Sequence, residues 1–192
     1  MKTKAVRIHG KMDLRLDEVN LPDIGPDDVR IRVVSDSLCM STYKAAVEGG
    51  DHKRVPNNCD ENPTIVGHEF CGDIVEVGEN WKHKYKVGDK FVIQPAHFHN
   101  GSQEAPGYSY SYCGGNSQYC NVPIETLLEN CLLPYNSDTY YYGSLAEPLS
   151  CVMYLPCHVP HQGRLLCPRN GHQRRRQDGT AGICWPHGSG CD

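Results

Sequence analysis

The sequence predicts a mainly β domain, a small barrel or sandwich, over residues 1–154. Short runs of β-branched and alternating apolar residues recur along this stretch, and Gly, Pro and Asp residues separate them. These runs are KAVRI, LRLDEV, DVRIRVVSDS, IVGHEFCGDIVEVG and KFVIQPA. Many short strands with turns between them favour a barrel or sandwich over a sheet built from βαβ units.

The individual runs have the patterns expected of strands and turns. In DVRIRVVSDS, the residues Val29, Ile31 and Val33 share one face, because successive side chains of a strand point to opposite sides. The pairs Gly88-Asp89 and Gly114-Gly115 are typical of turns. These positions divide the chain into the segments that a small β domain requires.

Composition excludes several classes of partner. The net charge is −4 with acids and bases interspersed, so there is no basic stripe for nucleic acid. No stretch approaches the ~20 apolar residues of a bilayer span, and the start MKTKAVRIHG lacks the apolar core of a signal peptide. The 11 cysteines include no C-x-x-C pair, which indicates reduced thiols rather than a disulfide scaffold. We therefore expect a cytoplasmic protein.

One segment combines strand-forming residues with two ionisable side chains. In PTIVGHEFCGDIVEVG, His68 and Glu69 lie between apolar residues, and burying such groups is costly unless they are paired or bind a metal. The pattern Gly67-His68-Glu69-x-x-Gly72-x5-Gly78 resembles the zinc signature of the medium-chain zinc-dependent alcohol dehydrogenases, which include the polyol dehydrogenases.

Further landmarks of that family occur in the family's order. They are Cys39-Met40-Ser41, Val87-Gly88-Asp89-Lys90-Phe91-Val92, Gly114-Gly115-x-x-x-Gln118-Tyr119-x-x-x-Pro123 and Glu147-Pro148-Leu149-Ser150-Cys151. The resemblance implies that residues 1–154 form a GroES-like β-barrel catalytic domain.

The resemblance also implies a set of site residues. One catalytic zinc would be held by Cys39, His68 and Glu69, with Glu147 as a further ligand or beside the zinc-bound water, since zinc prefers thiolate, imidazole and carboxylate donors. Ser41 would relay the proton of the alcohol. Taken singly, Cys39 could be a buried core thiol, Ser41 a hydroxyl bonded to backbone, and Glu147 a turn cap.

The sequence also departs from the family pattern. Where many relatives carry four cysteines for a structural zinc, this chain has only Cys113 and Cys120, with His97 and His99 as remote substitutes, so we predict no structural zinc. This absence, the run after Cys39 and the SYSY stretch most resemble sugar-phosphate reductases of the L-sorbose 1-phosphate type. In that run Thr42 replaces a common Asp, and Lys44 could attract a sugar phosphate or be solvated.

The last part of the chain differs in composition. Residues 155–192 are rich in Arg, Cys, His, Pro and Gly and poor in bulky aliphatic residues, which predicts disorder. The family's Rossmann domain should begin here, but no G-x-G-x-x-G follows Ser150, so the NAD or NADP site is predicted to be missing. Read one base later, codons for residues 177–191 can encode K-M-A-L-L-A-x-A-G-P-M-G-L-G-A, which resembles that domain's first strand and phosphate loop. We interpret the tail as frameshifted.

These observations predict a zinc-dependent NAD(P) oxidoreductase of polyols or sugar phosphates, present as a fragment that is inactive alone. The alternative is a non-catalytic zinc-binding β domain, or a remnant that binds a partner. Loss of the cofactor domain would expose apolar surface and could lead to an oligomer or heteromer. A zinc-free quinone reductase is a further alternative, and the set of Cys39, His68 and Glu69 argues against it.

Overall fold

The structure is a computed structural model that describes residues 1–158, with side chains described for residues 1–153. The strands are β1 (Lys2–Gly10), β2 (Asp13–Asn20), β3 (Val29–Asp36), β4 (Thr64–Ile65), β5 (Phe70–Val77), β6 (Lys90–Ile93), β7 (Tyr119–Asn121) and β8 (Leu132–Pro134). The α-helices are α1 (Met40–Glu48), α2 (Ile124–Leu128), α3 (Tyr140–Ser144) and α4 (Ala146–His158). The prediction of a mainly β domain is confirmed.

The strands form two antiparallel sheets. One sheet has the order β7-β3-β5-β6-β8 and the other has the order β2-β1-β4. The β3 and β5 strands pair from Val29↔Val77 to Asp36↔Phe70. The Val6 amide donates to Asn116 O and the Gln118 amide donates to Lys4 O, so β1 joins the segment that leads into β7. These bonds connect the three-stranded sheet, through its central strand β1, to the β7 edge of the five-stranded sheet, as a barrel requires.

The main core lies against the five-stranded sheet. Val29 and Ile31 are fully buried and Val33 packs against the same cluster, as the alternation of DVRIRVVSDS predicts. Phe70 and Phe91 meet edge to face in this core, with ring centroids 6.2 Å apart. A second buried cluster, which includes Ile8, Ala45, Val66 and Tyr108, packs helix α1 and the nearby loops onto β1. This second cluster supports the functional site.

The helices were not predicted from the sequence pattern. Helix α1 begins directly after Cys39, and α4 continues across the predicted domain boundary at residue 154. Met1–Leu149 form one compact unit, and a second unit begins at Ser150. The predicted disordered and frameshifted tail lies mostly outside the described residues and stays a prediction. None of the described helices combines the length and apolar character that crossing a bilayer requires.

Candidate metal centre

Three possible metal ligands from two loops converge at one end of the five-stranded sheet. Cys39 precedes α1 just after β3 ends, and His68 and Glu69 lie in the connection from β4 to β5. One ligand atom from each of these residues lies within 4.8 Å of the other two, and His68 Nε2 is 3.7 Å from Glu69 Oε1. His68 and Glu69 are 4% and 5% exposed, whereas Cys39 is half-buried. The structure thus brings together the three ligands that the sequence suggests.

These donors fit a zinc ion. Zinc binds thiolate sulfur at ~2.3 Å and imidazole nitrogen or carboxylate oxygen at ~2.0–2.2 Å. Donor atoms that already lie within 4.8 Å of one another need only small side-chain adjustments to share one ion. Sulfur, nitrogen and oxygen donors together favour zinc over magnesium or calcium, which prefer oxygen alone.

Asp36, the last residue of β3, and Ser37, which follows it, fix the position of the His68-Glu69 segment. Asp36 Oδ1 accepts a hydrogen bond from the Glu69 amide at 3.1 Å, and the Ser37 amide donates to Glu69 O at 3.1 Å. Ser37 Oγ also donates to the carboxylate oxygen Glu69 Oε2. Because Asp36 and Ser37 together hold Glu69 at both its main chain and its side chain, the carboxylate is oriented before any metal binds.

Gly67 allows this segment to approach its neighbours closely. Its φ is +99°, a value that side-chain-bearing residues rarely adopt. The Gly115 amide donates to Gly67 O at 2.8 Å, which ties the loop before His68 to the turn before β7. The predicted turn at Gly114-Gly115 therefore packs against the segment that holds His68 and Glu69.

The His68 ring has polar contacts at both nitrogens. Nδ1 lies 3.3 Å from Thr42 Oγ1, while Nε2 lies 3.3 Å from Ser41 Oγ and 3.2 Å from Tyr108 Oη. When Nδ1 donates to Thr42, the lone pair of Nε2 is directed toward the side of Cys39 and Glu69. Thr42, which replaces the family's Asp, thus still contacts the ligand ring.

Ser41 lies between the metal ligands and a tyrosine. Its hydroxyl donates to Cys39 Sγ at 2.9 Å and accepts a hydrogen bond from Tyr108 Oη at 2.8 Å. The Tyr108 ring also packs on His68, with centroids 4.7 Å apart. Tyr108, which directly precedes the Tyr-rich SYSY stretch, was not predicted as a site residue. These contacts hold the Ser41 hydroxyl beside the candidate ligands, and its role in proton relay stays a prediction.

Glu147 occupies a different place from the three convergent donors. It lies in the first turn of α4 and lines the same cleft as Ser41, His68 and Tyr108. The group of donor atoms within 4.8 Å of one another contains Cys39, His68 and Glu69 but not Glu147. Its role as a zinc ligand or near the zinc-bound water stays a prediction.

Burial controls the protonation of the site. It lowers the pKa of His68 to about 4, a shift that the carboxylate of Glu69 partly opposes and the charge of Arg54 reinforces. Burial also raises the pKa of Tyr108 to about 12 and that of Asp36 to about 7. At neutral pH, His68 is therefore an unprotonated potential ligand and Tyr108 retains its proton.

The low pKa of His68 predicts a pH-dependent stability of the metal-free chain. Between pH ~6.5 and ~4 the unfolded chain protonates this imidazole and the folded chain does not, so the contribution of His68 to stability falls as the pH falls through this range. A shift from 6.5 to about 4 corresponds to a loss of up to roughly 3 kcal/mol. Asp36 acts in the opposite direction, because its raised pKa of about 7 lets the folded chain take up that proton before the unfolded chain does. Urea unfolding with a chelator at pH 7 and pH 4 therefore measures the contribution of His68 as a difference between the parent chain and a variant without the imidazole.

A His68→Gln variant is the control, since glutamine cannot titrate. The change in stability from pH 7 to pH 4 should be less unfavourable in this variant by the contribution of His68, since Asp36 contributes to both proteins. An equal change in both proteins would contradict the prediction.

The stretch from His97 to Cys120 lies where many relatives have a structural zinc lobe. Among the described residues, its cysteines and histidines do not form a group that could hold a metal ion. Cys113 and Cys120 are buried with their sulfurs 3.8 Å apart. His99 Nδ1 contacts Glu129 Oε1 at 2.7 Å, whereas buried His97 has no hydrogen-bond partner at either ring nitrogen within the described part of the chain. The predicted absence of a structural zinc remains a prediction.

Comparison with known proteins agrees with the fold. The family model for the alcohol dehydrogenase GroES-like domain matches residues 25–134. The chain belongs to this family. The resemblance of its sequence to the zinc-dependent medium-chain dehydrogenases is therefore confirmed, and so is the GroES-like fold.

Relatives within the alcohol dehydrogenase family are longer than this chain. L-Sorbose 1-phosphate reductase of Klebsiella pneumoniae is 45% identical over 79% of this chain and 37% of its own length. Mannitol-1-phosphate 5-dehydrogenase of Aliivibrio fischeri is 47% identical over 79% of this chain and 36% of its own length. The solved 2R,3R-butanediol dehydrogenase of Bacillus subtilis superposes with a TM-score of 0.63 and 30% identity over 79% of this chain and 46% of its own. The chain thus spans less than half the length of each.

Proposed function

We propose that this chain supplies the zinc-binding part of an NAD(P)-dependent oxidoreductase that acts on polyols or sugar phosphates. The observation that carries the proposal is the convergence of Cys39, His68 and Glu69 next to the hydroxyl of Ser41. Two relatives are named for reactions of sugar phosphates, which supports the substrate class. The described cysteines are all free, which supports action in the cytoplasm.

One zinc ion would be held by Cys39, His68 and Glu69. When bound, it supplies a Lewis acid for the oxygen of an alcohol or carbonyl group. Three protein ligands leave a fourth position for water or substrate. Glu147, on the wall of the cleft, is proposed to contact the group in that position.

Ser41 would relay the proton that leaves the substrate hydroxyl. Its Oγ would accept that proton while its own hydrogen, which is directed at Cys39 Sγ, passes to solvent, and Tyr108 Oη donates to the same oxygen. The pKa of Tyr108, raised to about 12 by burial, keeps the tyrosine in the donor state during this exchange. Tyr108 thereby orients the hydroxyl that relays the proton.

A non-catalytic domain that docks on a partner is the second candidate function. Tyr141, Tyr142, Leu145 and Leu149 are all exposed near the end of the compact unit. Apolar side chains grouped in this way often mark an interaction surface. In this case zinc would stabilise the domain without turnover.

Metal analysis and an activity assay of the purified 192-residue chain test the proposal together. We expect about one zinc per chain. We expect negligible NAD(P)-dependent oxidation of sorbitol or of sorbitol 6-phosphate, because NAD(P) carries out the redox step and its binding site is predicted to be missing. Folded protein without zinc would overturn the proposed metal centre. Rapid turnover by the isolated chain would overturn the view that a further domain is needed.

A further inference from the structure

A group of basic side chains faces the same cleft as the metal centre. The cleft has a volume of about 310 Å³, and its lining includes Ser41, Tyr108 and His68, which is one of the three candidate ligands. The lining also includes Lys44, from helix α1, and the adjacent residues Lys53 and Arg54. A cleft that combines basic groups with a candidate metal ligand is suited to an anionic substrate.

Arg54 is held in place by its main chain and by an aromatic ring. Its carbonyl accepts from Ser109 Oγ at 2.7 Å, and its Cζ lies 5.6 Å from the centroid of the Tyr108 ring. Its guanidinium makes no hydrogen bond or ion pair with any residue in the described part of the chain. A positioned guanidinium with unused donors is a typical partner for phosphate.

The lysines add positive charge that acidic neighbours only partly balance. Lys44 Nζ lies 3.7 Å from Glu48 Oε1, and its side chain is 65% exposed, so this pair is weak. Lys53 forms no ion pair with another described residue. Glu147 is the carboxylate of the cleft lining, so the positive groups outnumber the negative ones there. Solvent alone could accommodate each lysine, but Arg54 on the Tyr108 ring is not a freely solvated side chain.

We propose that Arg54 and Lys53, assisted by Lys44, bind the phosphate of a polyol phosphate whose hydroxyl end reaches Cys39, His68 and Glu69. The inference rests on the proposed function and specifies the substrate class of that site. The Tyr108 ring links the two ends, because Arg54 lies over it and His68 packs against it, with distances of 5.6 Å and 4.7 Å. Arg54 and His68 therefore both contact the same ring, and an extended hexitol phosphate is long enough to contact Arg54 at one end and His68 at the other.

The phosphate subsite explains why the chain would discriminate between two similar substrates. A free polyol offers no anion to Arg54, whereas its phosphate ester accepts two hydrogen bonds from the guanidinium fork. A hydrogen bond to a charged group contributes enough free energy for a roughly tenfold to hundredfold difference in affinity. Phosphorylation of the substrate would therefore be the main determinant of binding.

Calorimetric titration of the zinc-loaded 192-residue chain tests this inference. We expect sorbitol 6-phosphate to bind at least about tenfold more tightly than sorbitol, with inorganic phosphate as a weaker competitor. Arg54→Gln and Lys53→Gln should each weaken binding of sorbitol 6-phosphate by about tenfold or more and leave the affinity for sorbitol unchanged.

Arg15→Gln is the matched control, since Arg15 is an exposed arginine of β2 paired with Asp13. Arg15→Gln changes the net charge by the same amount as Arg54→Gln. It should leave the affinities for sorbitol 6-phosphate and for sorbitol unchanged. If Arg54→Gln and Arg15→Gln have the same effect, the subsite is overturned.

Arg54 and Lys53 could instead bind the phosphates of a nicotinamide dinucleotide. A parallel titration with NADP and NAD distinguishes them. Loss of dinucleotide binding in Arg54→Gln with unchanged affinity for sorbitol 6-phosphate would overturn the inference.

The zinc content of each variant separates this inference from the proposed function. Zinc-loaded protein that does not distinguish sorbitol 6-phosphate from sorbitol overturns the phosphate subsite alone. Zinc-free protein that retains the preference, and loses it in Arg54→Gln, supports the subsite and overturns the metal centre.

Discussion

Replacing Cys39 with serine is expected to abolish zinc binding and leave the fold intact. The thiolate is one of three donor groups within 4.8 Å of one another, and a serine hydroxyl stays protonated at neutral pH and is a poor zinc ligand. Changes to residues that only support metal ligands already cost ~10–100-fold in affinity, so loss of a ligand should cost more than ~100-fold. Purified Cys39→Ser should contain less than about a tenth of a zinc ion per chain.

Cobalt substitution tests whether Cys39 itself binds the metal. A cobalt–thiolate bond gives a ligand-to-metal charge-transfer band in the near ultraviolet, and this band should be present in the parent chain and absent from Cys39→Ser. Cys151→Ser is the control, because it also removes a cysteine but from an exposed position on α4. If Cys39→Ser retained the band, the assigned ligand set would be wrong.

Folding and metal loss can be separated in this experiment. Cys39 is half-buried and is the residue before the first turn of α1, a position where serine is a favoured helix cap. With a chelator present, Cys39→Ser and the parent chain should therefore unfold at similar urea concentrations. A large difference without metal would mean that the thiol has a packing role.

The strands were predictable because their sequence pattern is local. Val29, Ile31 and Val33 alternate with polar residues, and the structure buries this face against the main core. Arg30, on the other face, is an exception, since it is 4% exposed and bonds to Asn121 Oδ1 at 3.0 Å and Glu76 Oε1 at 2.6 Å. The burial of Arg30 could not be predicted from its neighbours in sequence, because the residues that pair with it come from distant strands.

Only those residues of the candidate site that belong to a recognisable motif could be predicted from the sequence. The motif around His68 and Glu69 suggested a metal, and the resemblance suggested Cys39, so the structure brings together residues that were already singled out. Tyr108 and Arg54 come from irregular loops with no periodic pattern. Their contacts with Ser41, His68 and each other depend on how the loops after α1 and β6 pack, which the spacing of residues does not reveal.

Gly67→Ala is expected to be strongly destabilising and to disrupt the metal centre. Gly67 has φ of +99°, and a Cβ there would overlap Asp36 Oδ2 and lie 2.7 Å from the backbone nitrogen of Asn116. Positive φ alone costs an alanine ~1–2 kcal/mol. The steric overlap adds to this cost, and we expect a total of roughly 4 kcal/mol or more, together with loss of zinc because His68 is the next residue.

Gly88→Ala is a matched control for the backbone conformation. Gly88 has φ of +92°, but a Cβ at this position meets nothing within 4 Å. This variant should therefore lose only the ~1–2 kcal/mol of backbone strain and keep its zinc. Urea unfolding with a chelator, and zinc content without it, measure both effects. Equal loss of stability in the two variants would show that backbone strain, and not close packing, explains the glycine at position 67.

A double substitution identifies which neighbour excludes the side chain. Asp36→Ala removes the carboxylate that a Cβ at position 67 would overlap, but the backbone atoms Asn116 N and Gly115 Cα, at 2.7 and 3.0 Å, remain. Adding Asp36→Ala to Gly67→Ala should therefore recover only part of the lost stability. It should not restore zinc binding, because Asp36 also accepts the Glu69 amide and holds that ligand in position. Full recovery of both would mean that the turn at Gly114-Gly115 can move away, and that the metal-binding segment is less tightly held than the contacts of Gly67 indicate.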